Sequence, residues 1–329
     1  MNPIRAARPT VALAAAGLLF LTACGGSDSG PAASSAPAGS ASGSASVGAQ
    51  PSSASDTASA SATSGPTETA GTGGMNPLGG ECTPASLATL AAGTLTIATS
   101  EPAYEPWMVG DDPTNGQGYE SAVAYAVAQQ LGYSAAQVTW ARVPFEAVIA
   151  PTPKDFDFDV NQVSISDERK AAVDFSSGYY DVVQAVVTVK GSPLDGVTTL
   201  AGLKDARLGA MIGTTSLAAI AASIAPHTDP AVFDSNDAGV QALQAGSIDG
   251  LVLDLPSALY VANAQLPDGL LVGQLPASSA DTEQFGLVLD KGSELTTCVT
   301  AAVDALRADG TLGALAQQWI ADTSAPELS

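Results

Sequence analysis

Positive charge is what this 329-residue chain has least of. Eleven lysines and arginines stand against 33 aspartates and glutamates, with one histidine, for a formal net charge of −22. So acidic a surface repels nucleic acid, which is not expected as a partner. The single histidine, His227, sits in an APHTDP turn and reads as exposed; with only three cysteines in the chain, a zinc site lacks ligands. Asp111-Asp112 and the cluster Asp155, Asp157 and Asp159 lack the spacing and the glycine of a calcium loop. There is no G-x-S-x-G and no histidine beside a serine motif, and Gly213-Thr214-Thr215 lacks the lysine of a phosphate loop. Neither a metal, a cofactor nor a catalytic centre is expected. No run after residue 23 nears the about 20 apolar residues that span a bilayer.

The chain opens MNPIRAARPTVALAAAGLLFLTACGG. Two arginines, Arg5 and Arg8, precede an apolar run from Val11 to Ala23 that is too short for a transmembrane helix, so residues 1–23 read as a secretory signal. Leu21-Thr22-Ala23-Cys24 resembles the bacterial lipobox, which implies a lipidated Cys24 at the mature N-terminus; the other reading is an ordinary signal that contains a cysteine. Residues 24–80 are nearly all Ser, Ala, Gly, Thr and Pro. They carry too little apolar surface to offset ordering entropy and read as a disordered tether, with an end-to-end distance of roughly 40 Å. Together these features place the folded part on the extracellular face of the cytoplasmic membrane. Two cysteines remain, Cys82 and Cys298, and in an exported chain they are expected to pair; two buried free thiols are the alternative.

Strand-like and helix-like stretches alternate through the rest. LTIAT at 95–99 is β-rich, and YESAVAYAVAQQL at 119–131 has apolar residues at helical spacing. Further strands are read at 138–143, 156–161, 182–189, 207–212, 248–253, 270–275 and 285–289. Two helices, near 293–308 and 311–321, close the pattern. This alternation argues for an α/β fold. Two segments look alike. A helix from Phe145 leads into DFDFDVNQVSIS, and a helix from Ala238 leads into GSIDGLVLDLPS. Each sets polar groups just past an apolar strand, Gln162 and Ser164 in one and Asp254 in the other. Ligands bind at that edge of open α/β sheets, and two such edges facing one another make a cleft.

Arg169 is one of only four arginines after Cys24. Its neighbours Asp167, Glu168 and Lys170 read, from spacing alone, as a solvated charge cluster. Gly213-Thr214-Thr215 opens a helix, where free backbone N–H groups favour an anion or a hydroxyl simply caps the helix.

Seven motifs in order then carry a resemblance: LTIATSEPAYEPW, GYESAVAYAVAQQLGY, DFDFDVNQVSISDERKAAVDFSSGYY, GAMIGTTS, ALQAGSIDGLVLDLPSALY, FGLVLDKGSEL and LRADGTLGALAQQW. The chain resembles the extracellular solute-binding protein family 3, receptors of polar amino acid ABC transporters. The resemblance implies a two-lobed periplasmic-binding-protein-like fold of type II, its lobes joined by two crossing strands. Lobe one would be residues 81–180 and 286–323, and lobe two 186–281. It further implies that Arg169 clamps the ligand α-carboxylate with the backbone N–H groups of Thr214 and Thr215. Asp254 would receive the ammonium, and Tyr104 and Phe145 would form aromatic walls. Arg169 and Asp254 are expected to be solvated when the lobes part, and so dispensable for folding.

The chain departs from the family pattern around the side-chain pocket. Asn161-Gln162 stands where many members have a small residue and Gly, Ser164 and Ser166 replace threonines, Ser100-Glu101 replaces an Asp after the first strand, and Glu120-Ser121 begins the first helix. Gln162 would shrink the pocket or add a donor and an acceptor, and Glu101 would tilt the site toward glutamine or a basic amino acid. The expected function is therefore that of a monomeric receptor, not an enzyme, which delivers an amino acid to an ABC permease. Two rivals are a dehydratase-like enzyme on the same fold, with Glu101 as proton carrier, and a sensor subunit without transport.

Overall fold

The computed structural model describes residues 78–277, 282–320 and 324–329. The signal sequence, Cys24 and nearly all of the expected tether lie outside these residues.

Two five-stranded sheets share one plan. In the first, β1 (Leu95–Thr99) lies between the parallel strands β2 (Val138–Arg142) and β3 (Phe158–Asp159), and the sheet continues through antiparallel β10 (Gln284–Leu289) to β4 (Asp174–Asp181). In the second, β6 (Leu208–Met211) lies between the parallel strands β7 (Ala231–Phe233) and β8 (Gly250–Asp254). That sheet continues through antiparallel β5 (Gln184–Val189) to β9 (Gly269–Gln274). β3 and β8, the strands of the two look-alike segments, hold the same place in their sheets. The expected strand 156–161 is shorter than its apolar run, because only Phe158–Asp159 pairs as a strand.

Both faces of each sheet are covered, which is why the strands read as apolar runs rather than alternating ones. Ile97 packs with Trp107, Val123 and Phe158 on one face, while its neighbour Ala98 meets Val148, Val163 and Val288 on the other. In the second sheet Val186 and Val252 face Leu203 and Ile220, whereas Ala185, Val187, Leu251 and Leu253 face Val240 and Leu243.

The helix α1 (Tyr119–Gln130) buries Val123, Ala124, Val127 and Ala128, and it packs against both α7 (Thr296–Ala308) and α8 (Thr311–Trp319). Its start requires a glycine. Gly118 has φ of 95°, and a Cβ there would stand 2.3 Å from the Trp107 carbonyl oxygen. Close approach at this point lets the Trp107 carbonyl accept the Glu120 N–H at 3.0 Å and bind the helix start to the preceding loop. On α7, Cys298, Val299, Ala302, Val303 and Leu306 form the buried stripe.

Cys298 on this helix is disulfide-bonded to Cys82, 216 residues earlier. In the chain-entropy picture, closing so long a loop stabilises the fold by about 5 kcal/mol. The bridge pins the segment entering the first sheet to the helix that completes its core.

The two sheets belong to two lobes. Val182 and Val183 run from β4 to β5, and the Val182 N–H donates to the Glu283 carbonyl on the returning segment at 2.9 Å. A third link comes from residues 324–329, beyond the last helix. Leu328 donates its N–H to the Gln274 carbonyl at 2.9 Å and buries its side chain in the second lobe. No helix among the described residues is long and apolar enough to cross a membrane.

Candidate ligand-binding cleft

Between the lobes lies a cavity of about 260 Å³. Its walls come from the carboxyl ends of parallel strands in both sheets. β1 supplies Ser100 and Glu101, β3 supplies Asn161 and Gln162, β6 supplies Thr214 and Thr215, β7 supplies Asp234, and β8 ends on Asp254. Parallel strands place their loops and following helix starts at that edge, so these five sequence-distant segments converge without any one being long. Tyr104, Phe145 and Arg169 line the same cavity.

Arg169 is not a surface charge. It is 9% exposed, on the short helix α3 (Asp167–Ala172). Ser166 caps that helix by accepting the Arg169 N–H at 3.2 Å. One helical turn then points Asp167, Glu168 and Lys170 to water and Arg169 inward. Its guanidinium donates to the Ser164 carbonyl at 2.6 Å in its own lobe and to the Gly213 carbonyl at 2.8 Å in the other. The Phe145 ring lies beneath it, 5.7 Å from centroid to Cζ. Burial lowers its pKa from the ordinary arginine value, and the carboxylates of Glu283 and Glu168 oppose that shift.

Asp254 is half-buried at the end of β8 and caps α6 (Leu255–Tyr260). Its Oδ2 accepts from the Ser257 N–H at 3.2 Å and from the Ser257 hydroxyl at 2.7 Å. The same hydroxyl accepts from Trp107 Nε1 of the first lobe at 2.9 Å. Burial raises the Asp254 pKa to about 6. With the lobes in contact, both residues also serve the fold: Arg169 is a buried donor to both lobes, and Asp254 is a helix cap. Removing a capping aspartate costs about 1 kcal/mol.

The remaining expected residues divide. Thr214 lines the cavity and is also the N-cap of α4 (Thr215–Ala219), its hydroxyl accepting the Leu217 N–H at 3.3 Å. Tyr104 is half-buried, and burial together with Asp237 of the second lobe pushes its phenol pKa up. Glu101 is exposed at the cavity wall. Ser164 supports the cavity rather than lining it. Its hydroxyl donates to Glu283 at 2.5 Å and lies 3.2 Å from the Thr215 hydroxyl. His227 is exposed with Nδ1 2.8 Å from Asp205. Asp111 pairs with Arg142, and Asp157 accepts the Leu90 and Thr96 N–H groups. Among the described residues no group of three or more His, Cys, Asp and Glu is placed to hold a metal.

Sequence reading missed the carboxylates behind the cleft. Glu120, at the start of α1, is fully buried and accepts from the Gln162 N–H at 2.7 Å, from Gln162 Nε2 and from the Tyr179 hydroxyl. Burial raises its pKa to about 7, against the effect of those three donors. Asp159 is also fully buried and has no hydrogen-bond partner on either oxygen; burial and Glu120 raise its pKa well above the usual range, and Lys154 opposes them. Glu283, on the returning segment, takes part in the Ser164 and Gln184 contacts. The only signal for Glu120 and Asp159 was an acid set in an apolar run, which is common and unspecific.

Comparison with known proteins decides the family. The family model for bacterial extracellular solute-binding proteins, family 3, matches residues 95–322. The chain belongs to that family. Among its relatives is the L-cystine-binding protein TcyJ of Escherichia coli K12, 29% identical over 230 residues, which are 69% of this chain and 82% of that protein. Another is the ABC transporter glutamine-binding protein GlnH of Bacillus subtilis 168, 29% identical over 172 residues, 52% of this chain and 60% of that protein. Among solved structures, an ancestral arginine-binding protein bound to glutamine is 30% identical. The match covers 70% of this chain and all of that one, with a TM-score of 0.58. This solute-binding protein shares the two-lobed α/β fold of those neighbours.

The buried Glu120 yields a test. Its pKa rises on folding from 4.5 to about 7, so the folded state holds the proton longer than the unfolded one. The stability this gives is fully present below about pH 4.5 and is lost as pH rises through about 7. Glu120→Gln removes the effect. The wild-type stability relative to this variant should fall by up to about 3 kcal/mol between pH 4.5 and 7, as read from urea unfolding. A difference that stays constant with pH would contradict the assignment.

Proposed function

We propose that this protein is the receptor of an ABC importer and that it binds one polar amino acid, with a cationic or amide side chain, between its lobes. The observation that carries the reading is the charge inventory of the cavity. Arg169 is the one cation among the residues that line it, set against Glu101, Glu146, Asp234 and Asp254. A free amino acid brings a carboxylate for Arg169 and an ammonium for Asp254. A planar guanidinium grips a carboxylate through two N–H groups, with the backbone N–H groups of Thr214 and Thr215 beside it. Three acids then remain without a counter-charge, which disfavours a second carboxylate on the ligand and favours a cation or an amide. The cavity volume suits one small molecule, being just under the roughly 300–1,000 Å³ of drug-sized sites. Tyr104 and Phe145 supply its apolar walls.

The relatives named above bind cystine and glutamine, and the ancestral arginine-binding neighbour holds glutamine, which supports an amino acid ligand here. Glu101, the carboxylate considered for proton transfer, is exposed rather than enclosed, so the binding reading is preferred to an enzyme. The proposed receptor is lipid-anchored through Cys24 and reaches its permease on the tether of residues 24–80. Cys24→Ser should move the protein from the membrane fraction to the medium; unchanged fractionation would remove the anchor from the reading.

The ligand is found by a thermal-shift panel of L-arginine, L-lysine, L-glutamine, L-cystine and L-glutamate, since 100 Kd of ligand stabilises by about 2.7 kcal/mol. With the strongest ligand of that panel, Arg169→Ala and Asp254→Asn should each weaken binding by roughly 30-fold or more, because each leaves a desolvated charge unpaired. Asparagine keeps the cap on α6, so loss of affinity is separated from loss of fold. Arg169→Lys should recover only part of the loss. Wild-type affinity should also fall as pH drops through about 6, where Asp254 takes up its proton, and Asp254→Asn should lose that dependence. Calorimetry that finds both variants within a few-fold of wild type would refute the clamp.

A further inference from the structure

Gln162 is the residue where the backbone and the cavity conflict most openly. Its φ is +47°, in the left-handed region that costs a residue with a Cβ and suits glycine. Apart from Gln162, only Asp111 and Ala225 among the described non-glycine residues have positive φ. The conformation is held from behind. Glu120 accepts both the Gln162 backbone N–H and its side-chain Nε2, and the Tyr179 hydroxyl donates to the same carboxylate. Three donors on two carboxylate oxygens fix Glu120 as the acceptor toward Gln162. The amide therefore cannot turn around without setting its own oxygen against a carboxylate. With Nε2 held on the buried side, Oε1 is the amide atom left for the cavity that Gln162 lines.

We infer that Gln162 is a selectivity residue for the ligand side chain: locked by Glu120, it turns its amide oxygen, a hydrogen-bond acceptor, to the cavity. An acceptor there pairs with the N–H of an amide or of a cationic side chain and meets a carboxylate with lone pairs on both sides. This deepens the proposed amino acid reading and rests on it. Glu120 is the positioning residue. It touches no ligand and acts by holding one Nε2 N–H on the buried side, which fixes the way the amide faces. The excess of acid around the cavity and the acceptor of Gln162 thus discriminate in the same direction, the first at long range and the second at contact.

The test uses calorimetry at pH 8, where Glu120 is ionised, with L-arginine, L-glutamine and L-glutamate as probes. Gln162→Gly removes the side chain, keeps the N–H bond to Glu120 and relieves the left-handed strain, so folding is preserved. Gln162→Met keeps the bulk and removes the acceptor. Both variants should lower the preference for the better of L-arginine and L-glutamine over L-glutamate by about fivefold, the worth of one neutral hydrogen bond. Equal loss for all three probes would mean that Gln162 meets the shared amino acid head, and would overturn the inference. Selectivity kept by Gln162→Met would assign the effect to bulk and overturn it as well. Wild-type protein that binds none of the three, and no L-lysine either, would overturn both this inference and the reading under it. Binding by the wild type with selectivity unchanged in the variants would overturn this inference alone.

Discussion

A guanidinium taken out of water at the junction of two lobes is the constraint around which the cleft is arranged. Burying a cation costs several kcal/mol unless acceptors and counter-charges meet it. Arg169 is met by one carbonyl from each lobe, by the face of Phe145 and by the field of Glu283. One of these partners is in turn fixed by other contacts. Ser164, whose carbonyl accepts from Arg169, is held through its hydroxyl by Glu283 and Thr215. Thr215 and Ser216 lie against Gln184 at the start of β5. The cost of the buried charge is thus spread over the crossing segment and the first turn of α4.

The same network joins parts that must move relative to each other if the lobes open. The Arg169–Gly213, Ser164–Thr215 and Trp107–Ser257 contacts all cross the cleft, and each is a single hydrogen bond between polar groups that water can satisfy. The cores on either side do not share that property. The first lobe is welded by the disulfide, by the α1–α7–α8 packing and by the Trp107, Tyr119 and Phe285 rings. The second has both faces of its sheet filled with aliphatic side chains. Rigid bodies with a polar seam are the arrangement in which hinge closure is inexpensive and ligand charge decides its direction.

Much of this was legible in the amino-acid order. LTIAT, GLVLD and the amphipathic pair at the end lie where local pattern puts them, because the apolar runs are long enough to show their period. Cys82 and Cys298 were paired by compartment and number. Arg169 could be placed only through the motif around it, since spacing alone set it among Asp167, Glu168 and Lys170 and pointed to water. The cap by Ser166 turns it inward, and a cap is a small signal in a charged stretch. Glu120 and Asp159 were not legible as a buried pair. Glu120 meets Gln162 across 42 residues and Tyr179 across 59, contacts that no local pattern carries. The tail that lies on β9 escaped for the same reason: Leu328 is buried by the second lobe although it follows the last helix of the first.

The account stands on the claim that one ligand bridges Arg169 and Asp254. A crystal structure of the chain with its strongest-binding amino acid tests that claim most directly. The account predicts the α-carboxylate within 3.2 Å of the Arg169 guanidinium and the ammonium within the same distance of an Asp254 oxygen, the usual limit of such bonds. It also predicts a side chain directed toward Gln162 and the acids of the cavity wall. A ligand whose carboxylate is held elsewhere, with Arg169 still bonded only to Ser164 and Gly213, would contradict it.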